Sequence, residues 1–93
     1  METPVRAHVI ISGRVQGVFF RVETQRAAKR FGVLGWVRNK PDGNVEAVFE
    51  GQQSAVDAVL QWCHEGPNLA VVENVDLKWQ DFTGEYKRFD ITY

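Results

Sequence analysis

Arg21 is the residue of this chain best placed to hold an anion. It closes the segment Gly13-Arg14-Val15-Gln16-Gly17-Val18-Phe19-Phe20-Arg21, which follows the apolar run His8-Val9-Ile10-Ile11 and leads into a helical pattern. A strand, a glycine-bearing loop and a helix N-terminus together make an anion site. The loop amides can turn inward, the first helical N–H groups are unpaired, and the helix dipole is positive at that end. An arginine there adds a permanently charged planar fork that fits two oxygens of one phosphoryl group. Spacing alone leaves two readings open, such a site or a surface turn that carries an arginine.

The other residue types with chemical potential form no constellation. His8 lies early on a strand and His64 near a helix end, and with the single Cys63 they offer no metal-ligand spacing, so no metal is expected. Cys63 falls on the apolar face of a helical pattern and reads as a small buried residue. Glu46 and Glu50 alternate on one strand face; an acid pair is conceivable, but a solvated face is the expectation. Arg38 neighbours Asn39 in a strand pattern and should point to the opposite face. Trp36, Trp62 and Trp79 lack the interleaved basic residues that base stacking on RNA requires.

The elements that must position Arg21 follow from periodicity. Arg6–Ser12 reads as a strand apolar on both faces, hence central. Val22–Phe31 reads as a helix with Thr24, Ala27, Ala28 and Phe31 on its buried stripe and Gly32 as its stop. Leu34–Lys40 and Val45–Glu50 flank Pro41-Asp42-Gly43-Asn44, a strong turn signal, and form a hairpin with Val45, Ala47 and Phe49 on one face. Ser54, with Asp57 three residues on, predicts a capped second helix whose buried face is Ala55, Val56, Val59, Leu60 and Cys63, ended by Gly66-Pro67. Val71–Gln80 and Phe89–Tyr93 read as strands. The order strand, helix, strand, strand, helix, strand (βαββαβ) predicts an α+β fold. It would be a ferredoxin-like sandwich with a mostly antiparallel sheet and both helices on one face.

Composition narrows the class. The 93 residues suit one domain spanning residues 1–93, with 44% hydrophobic and 25% charged residues. A net charge of −1 gives no basic excess for nucleic acid or a membrane surface. No stretch approaches the roughly 20 apolar residues of a membrane span, and no secretory h-region is visible. A lone cysteine fits a reducing, cytoplasmic setting, and the lack of heptads predicts a monomer.

Three motifs carry a family likeness. Gly13 to Arg21, then Gly35-Trp36-Val37-Arg38-Asn39, then Asp42-Gly43-Asn44-Val45-Glu46 closely resemble the acylphosphatase family. The likeness extends through the second helix, Gly66-Pro67 and the aromatic end at Phe89. The resemblance implies the ferredoxin-like fold and hydrolysis of small acyl phosphates to a carboxylate and inorganic phosphate, without a cofactor. It implies that Arg21 binds the phosphate and that Asn39 positions the attacking water. It also implies that the loop Arg14, Val15, Gln16, Gly17, Val18 and Phe19 offers its backbone N–H groups, the Phe19 side chain having no role beyond packing. Such chemistry needs no acid, because a carboxylate of pKa roughly 4 to 5 departs unprotonated. The competing expectations are a phosphate-sensing module without turnover and a piece of a larger carbamoyl-transfer machine.

Overall fold

The computed structural model describes residues 2–93. The element order is β1 (Pro4–Arg14), α1 (Phe20–Phe31), β2 (Leu34–Asn39), β3 (Val45–Gln52), α2 (Gln53–Glu65), β4 (Val71–Gln80) and β5 (Phe89–Ile91). The five strands lie in the order β4-β1-β3-β2-β5. All pairings are antiparallel except β2 with β5. This is the expected ferredoxin-like α+β sandwich, with one short parallel strand added at the edge.

The strand period of two decides which side chains meet the helices. Ala7, Val9 and Ile11 of β1 stand in register with Phe49, Ala47 and Val45 of β3, and all six are buried. Gly35, Val37 and Asn39 of β2 continue the same face. Against it pack Phe20, Ala27 and Ala28 of α1 and Val56, Val59, Leu60 and Cys63 of α2. Burial pushes the Cys63 thiol far above its ordinary pKa, so it is an inert core group.

Several expectations need correction. Helix α1 begins at Phe20, two residues before the predicted start; Phe20 is buried, while Phe31, expected on the buried stripe, is exposed. Ser54 does not cap α2. The N-cap is Gln52, without a side-chain cap bond, and Ser54 sits inside the first turn. A carboxylate from the chain's beginning serves the helix end instead: Ser54 N and Oγ donate to the two oxygens of Glu2 at 2.7 and 2.9 Å. Asp57 accepts from Gln53 Nε2 rather than closing a capping box.

Strand β1 is not apolar on both faces. Its second face carries Arg6 and His8, and the carboxylates they reach on β3, Glu50 and Glu46, are held by donors rather than left to solvent. Glu50 is only 2% exposed and accepts from Arg6 Nη1 at 3.0 Å, from Thr83 N and Oγ1, and from Gly84 N. Glu46 lies 2.7 Å from both His8 Nε2 and Arg38 Nε. The segment 81–88 folds over this side of the sheet, and Tyr86 Oη accepts from both Trp36 Nε1 and Arg6 Nη1. Burial alone would raise both carboxyls; the donors outweigh it and hold both below the usual carboxylate range.

Close approach dictates glycine where β1 ends and the loop begins. Gly13 sits at φ 121 beside an irregularity in the β1–β4 ladder, and a Cβ there would lie 2.1 Å from the carbonyl oxygen of Val71. Only glycine lets β1 stay paired to the point where the loop departs.

Candidate active site

Residues 15–19 connect β1 to α1, and their backbone alternates in handedness. Gly17 has φ 73 and Phe19 φ 66, while Gln16, Val18 and Phe20 are not among the positive-φ residues. Alternation of this kind turns successive N–H groups toward one concavity, the arrangement called a nest. Among the described residues the N–H groups of residues 15–19 donate to no backbone carbonyl. The first helical bond is Glu23 N to Phe19 O, so the amides of residues 20–22 are free as well. Phe19 is the one non-glycine residue with positive φ among those described. Such a conformation costs a bulky side chain energy, and strain of this sort gathers where the chain must serve a ligand.

Arg21 follows in the first turn of α1. It makes no ion pair among the described residues, and its guanidinium carbon lies 5.6 Å from the centroid of the Tyr93 ring. That ring is delivered by the parallel strand β5, which is tied to β2 by Gly35 N to Arg88 O and Thr92 N to Val37 O. Gln25 of α1 reaches the same strand, donating to Phe89 O at 3.0 Å. A cation that no carboxylate neutralises, steadied on an aromatic face, retains its full charge for an incoming anion.

Asn39 arrives from the other side. It ends β2 on the helix-facing side, opposite buried Val45, while its neighbour Arg38 points away and pairs with Glu46 at 2.7 Å. The Oδ1 of Asn39 is buried and has no hydrogen-bond partner. A buried acceptor left unpaired costs about 1–3 kcal/mol, so such an atom in a folded protein calls for a functional reason.

These groups share one cavity of about 210 Å³, lined by Val15, Gly17, Phe19, Arg21, Val22 and Asn39, with Phe20 at its base. The tertiary structure therefore unites Arg21 and Asn39 with Val15, Gly17 and Phe19 of the loop. Arg14, Gln16 and Val18 do not line it. Arg14 ends β1 and is exposed, and Val18 is buried in the core. Gln16 uses its side chain, a role the sequence reading missed: Nε2 donates to Lys40 O and Asn44 O, each at 2.8 Å. It thereby clamps the loop to the β2–β3 hairpin. The expectation that the Phe19 side chain only packs is also corrected, because Phe19 is 71% exposed. His8 lies with Glu46 on the far side of the sheet.

The sequence matches the acylphosphatase family over residues 7–91. This chain belongs to the acylphosphatase family. It is 56% identical over 93 residues, the full length of both chains, to an acylphosphatase of Roseiflexus sp. strain RS-1. It is 52% identical over 88 residues to one from Pelotomaculum thermopropionicum, covering 95% of this chain and 96% of that one. Among solved structures, the acylphosphatase of Bacillus subtilis superposes with a TM-score of 0.92 at 31% identity, covering 96% of this chain and 99% of that one. The nest, Arg21 and Asn39 share a cavity that no histidine or carboxylate lines.

Proposed function

We propose that this acylphosphatase hydrolyses the carboxyl–phosphate bond of small acyl phosphates, with Arg21 and the loop amides holding the phosphoryl group and Asn39 positioning water. The observation that carries the reading is the single cavity in which a nest of free amides, an unneutralised guanidinium and an orphaned amide oxygen converge.

Transfer of a phosphoryl group spreads charge over its equatorial oxygens, so catalysis rests on positioning and positive potential. The amides of Val15, Gly17 and Phe19 and the Arg21 guanidinium bind those oxygens. The Asn39 oxygen accepts a hydrogen bond from water and aims its lone pair at phosphorus, opposite the leaving group. The new P–O bond forms from water and the bond from phosphorus to the acyl oxygen breaks. The electron pair departs on the carboxylate, which is stable unprotonated. Asn39 cannot take a proton at neutral pH, so the water's proton passes to a phosphoryl oxygen of the substrate itself. No resident metal or cofactor enters this scheme.

We take the chain of residues 1–93 to act as one domain, a monomer in the cytoplasm; its lone cysteine is buried and free, which suits a reducing compartment. No helix among the described residues is long and apolar enough to cross a membrane. The deciding experiment is release of inorganic phosphate from benzoyl phosphate by the purified chain with a chelator present. Turnover supports the reading. Tight binding of phosphate without turnover would make the site a sensor instead.

A further inference from the structure

The nest and Arg21 claim the terminal oxygens of a bound phosphoryl group, so the oxygen that carries the acyl group has to leave through the mouth of the cavity. Two apolar side chains stand at that mouth. Phe19 and Val22 both line the cavity, and they are 71% and 40% exposed, whereas Val15 and Phe20 deeper in are almost wholly buried. The Phe19 ring adds little to the core, and it sits on a backbone at φ 66 that glycine or asparagine would occupy with less strain. Packing therefore does not account for a phenylalanine here. The cavity, about 210 Å³, is also several times the share of one water molecule, about 30 Å³. It has room beyond the phosphoryl group for the carboxyl carbon and the first atoms of the acyl chain.

We propose that Phe19 and Val22 form an acyl-binding lip, which favours acyl phosphates with apolar and above all aromatic acyl groups over acetyl phosphate. This inference rests on the acyl phosphate reading above. An aromatic acyl group leaving the cradle meets the Phe19 ring in an offset or tilted arrangement, and Val22 closes one flank. The contact lies away from phosphorus and is equally present before and during the reaction. It therefore acts on KM rather than on kcat.

The test compares benzoyl phosphate with acetyl phosphate on the purified chain, taking the ratio of their kcat/KM values within each variant. A general disturbance of the phosphate loop slows both substrates and cancels in that ratio. Phe19→Asn removes the ring while tolerating the left-handed backbone, and Val22→Thr replaces a methyl by a hydroxyl on the same β-branched frame. The ratio is expected to fall about 5- to 10-fold in Phe19→Asn and about 2- to 3-fold in Val22→Thr, through the KM for benzoyl phosphate. A ratio within 1.5-fold of the parent's in both variants, with both substrates still hydrolysed, overturns the lip alone. Should Phe19→Asn fail to fold, the Val22→Thr ratio decides. If the unmodified chain hydrolyses neither substrate, the parent reading falls, and the lip with it.

Discussion

The side-chain amide of Gln16 donates to the carbonyl oxygen of Lys40 at 2.8 Å, one residue beyond Asn39. A second bond of equal length, to Asn44 O, makes the clamp bidentate and spans the turn of the β2–β3 hairpin. The loop that would hold phosphate and the strand end that would hold water are thus joined by one carboxamide. Each carbonyl has another partner as well, since Gly43 N donates to Lys40 O and Lys40 N to Asn44 O. Gln16→Leu should accordingly cost only about 1–3 kcal/mol of stability by urea unfolding. Turnover should fall further, by about 10- to 100-fold, because a displacement of about 1 Å between reacting groups is enough for that. Unchanged turnover in a folded Gln16→Leu protein would show that the clamp does not set the site's geometry.

Arg21 and Asn39 should separate kinetically. Removal of one preorganised donor to a developing charge costs roughly 3–4 kcal/mol, or 100- to 1000-fold in rate. Arg21→Gln is expected to weaken inhibition by inorganic phosphate and to lower turnover together. Asn39→Ala is expected to lower turnover on the same scale while the phosphate inhibition constant moves less than threefold. A variant at position 39 that retains a third of the parent's turnover would remove asparagine from the reaction.

Asn39→Ala should behave in the opposite sense toward unfolding. The Asn39 Oδ1 has no partner among the described residues, so its removal breaks no hydrogen bond within the chain. The variant is expected to be as stable as the parent or more stable, by up to about 1 kcal/mol, in equilibrium denaturation. A loss beyond about 1 kcal/mol would mean that the side chain packs a structural role this geometry does not reveal.

Stability should fall on the acid side through the carboxylates under segment 81–88. Burial raises the Glu50 carboxyl, but Arg6, Thr83 and Gly84 prevail, and the folded value lies below the ordinary 4.5. A depressed folded pKa means that the unfolded chain binds the proton more readily. The contribution is therefore fully present above about pH 4.5 and is lost as pH drops through the folded value. Glu46, set between His8 and Arg38, acts in the same direction, as does Asp42 through the backbone N–H of Asn44. Unfolding free energy is expected to be level from pH 7 to about 5 and to decline below. In Glu50→Gln the decline should be shallower, starting from a lower plateau. An equal decline in parent and variant would contradict the assignment.

Turnover, by contrast, should be level from pH 5.5 to 7.5. The cavity is lined by Arg21 and Asn39 and otherwise by apolar residues and glycine, and His8 is engaged with Glu46 across the sheet. A limb near the reference histidine pKa of roughly 6.5 in kcat/KM would bring a histidine into the reaction and end the substrate-as-base scheme.

The loop and Arg21 of the candidate site were legible before the fold because their signals are local, whereas Asn39 entered only through the family likeness. A strand-like run, glycines at 13 and 17 and a helical stripe follow one another within 25 residues, and Pro41-Asp42-Gly43-Asn44 announces its own hairpin. Alternation along β3 placed Val45, Ala47 and Phe49 together, and the buried face they form is the one observed. The sequence also determined the types of group available: one arginine at a helix start, one asparagine at a strand end, and no set of metal ligands.

Tertiary structure alone decided what these groups face. Asn39 reaches the Arg21 cavity because β2 pairs with β3 in one register, and a slip of a single residue would have sent Arg38 there instead. Glu50 became a buried anchor because segment 81–88, more than 30 residues onward and without periodicity of its own, folds across it. Gln16 became a clamp, and Phe19 an exposed ring, through contacts made or withheld across the whole chain. Periodicity reports which face of an element is apolar; it carries no information about the distant segment that covers the other face. For that reason a candidate anion loop could be read from neighbouring residues, while the cavity it shares with Asn39 required the assembled sheet.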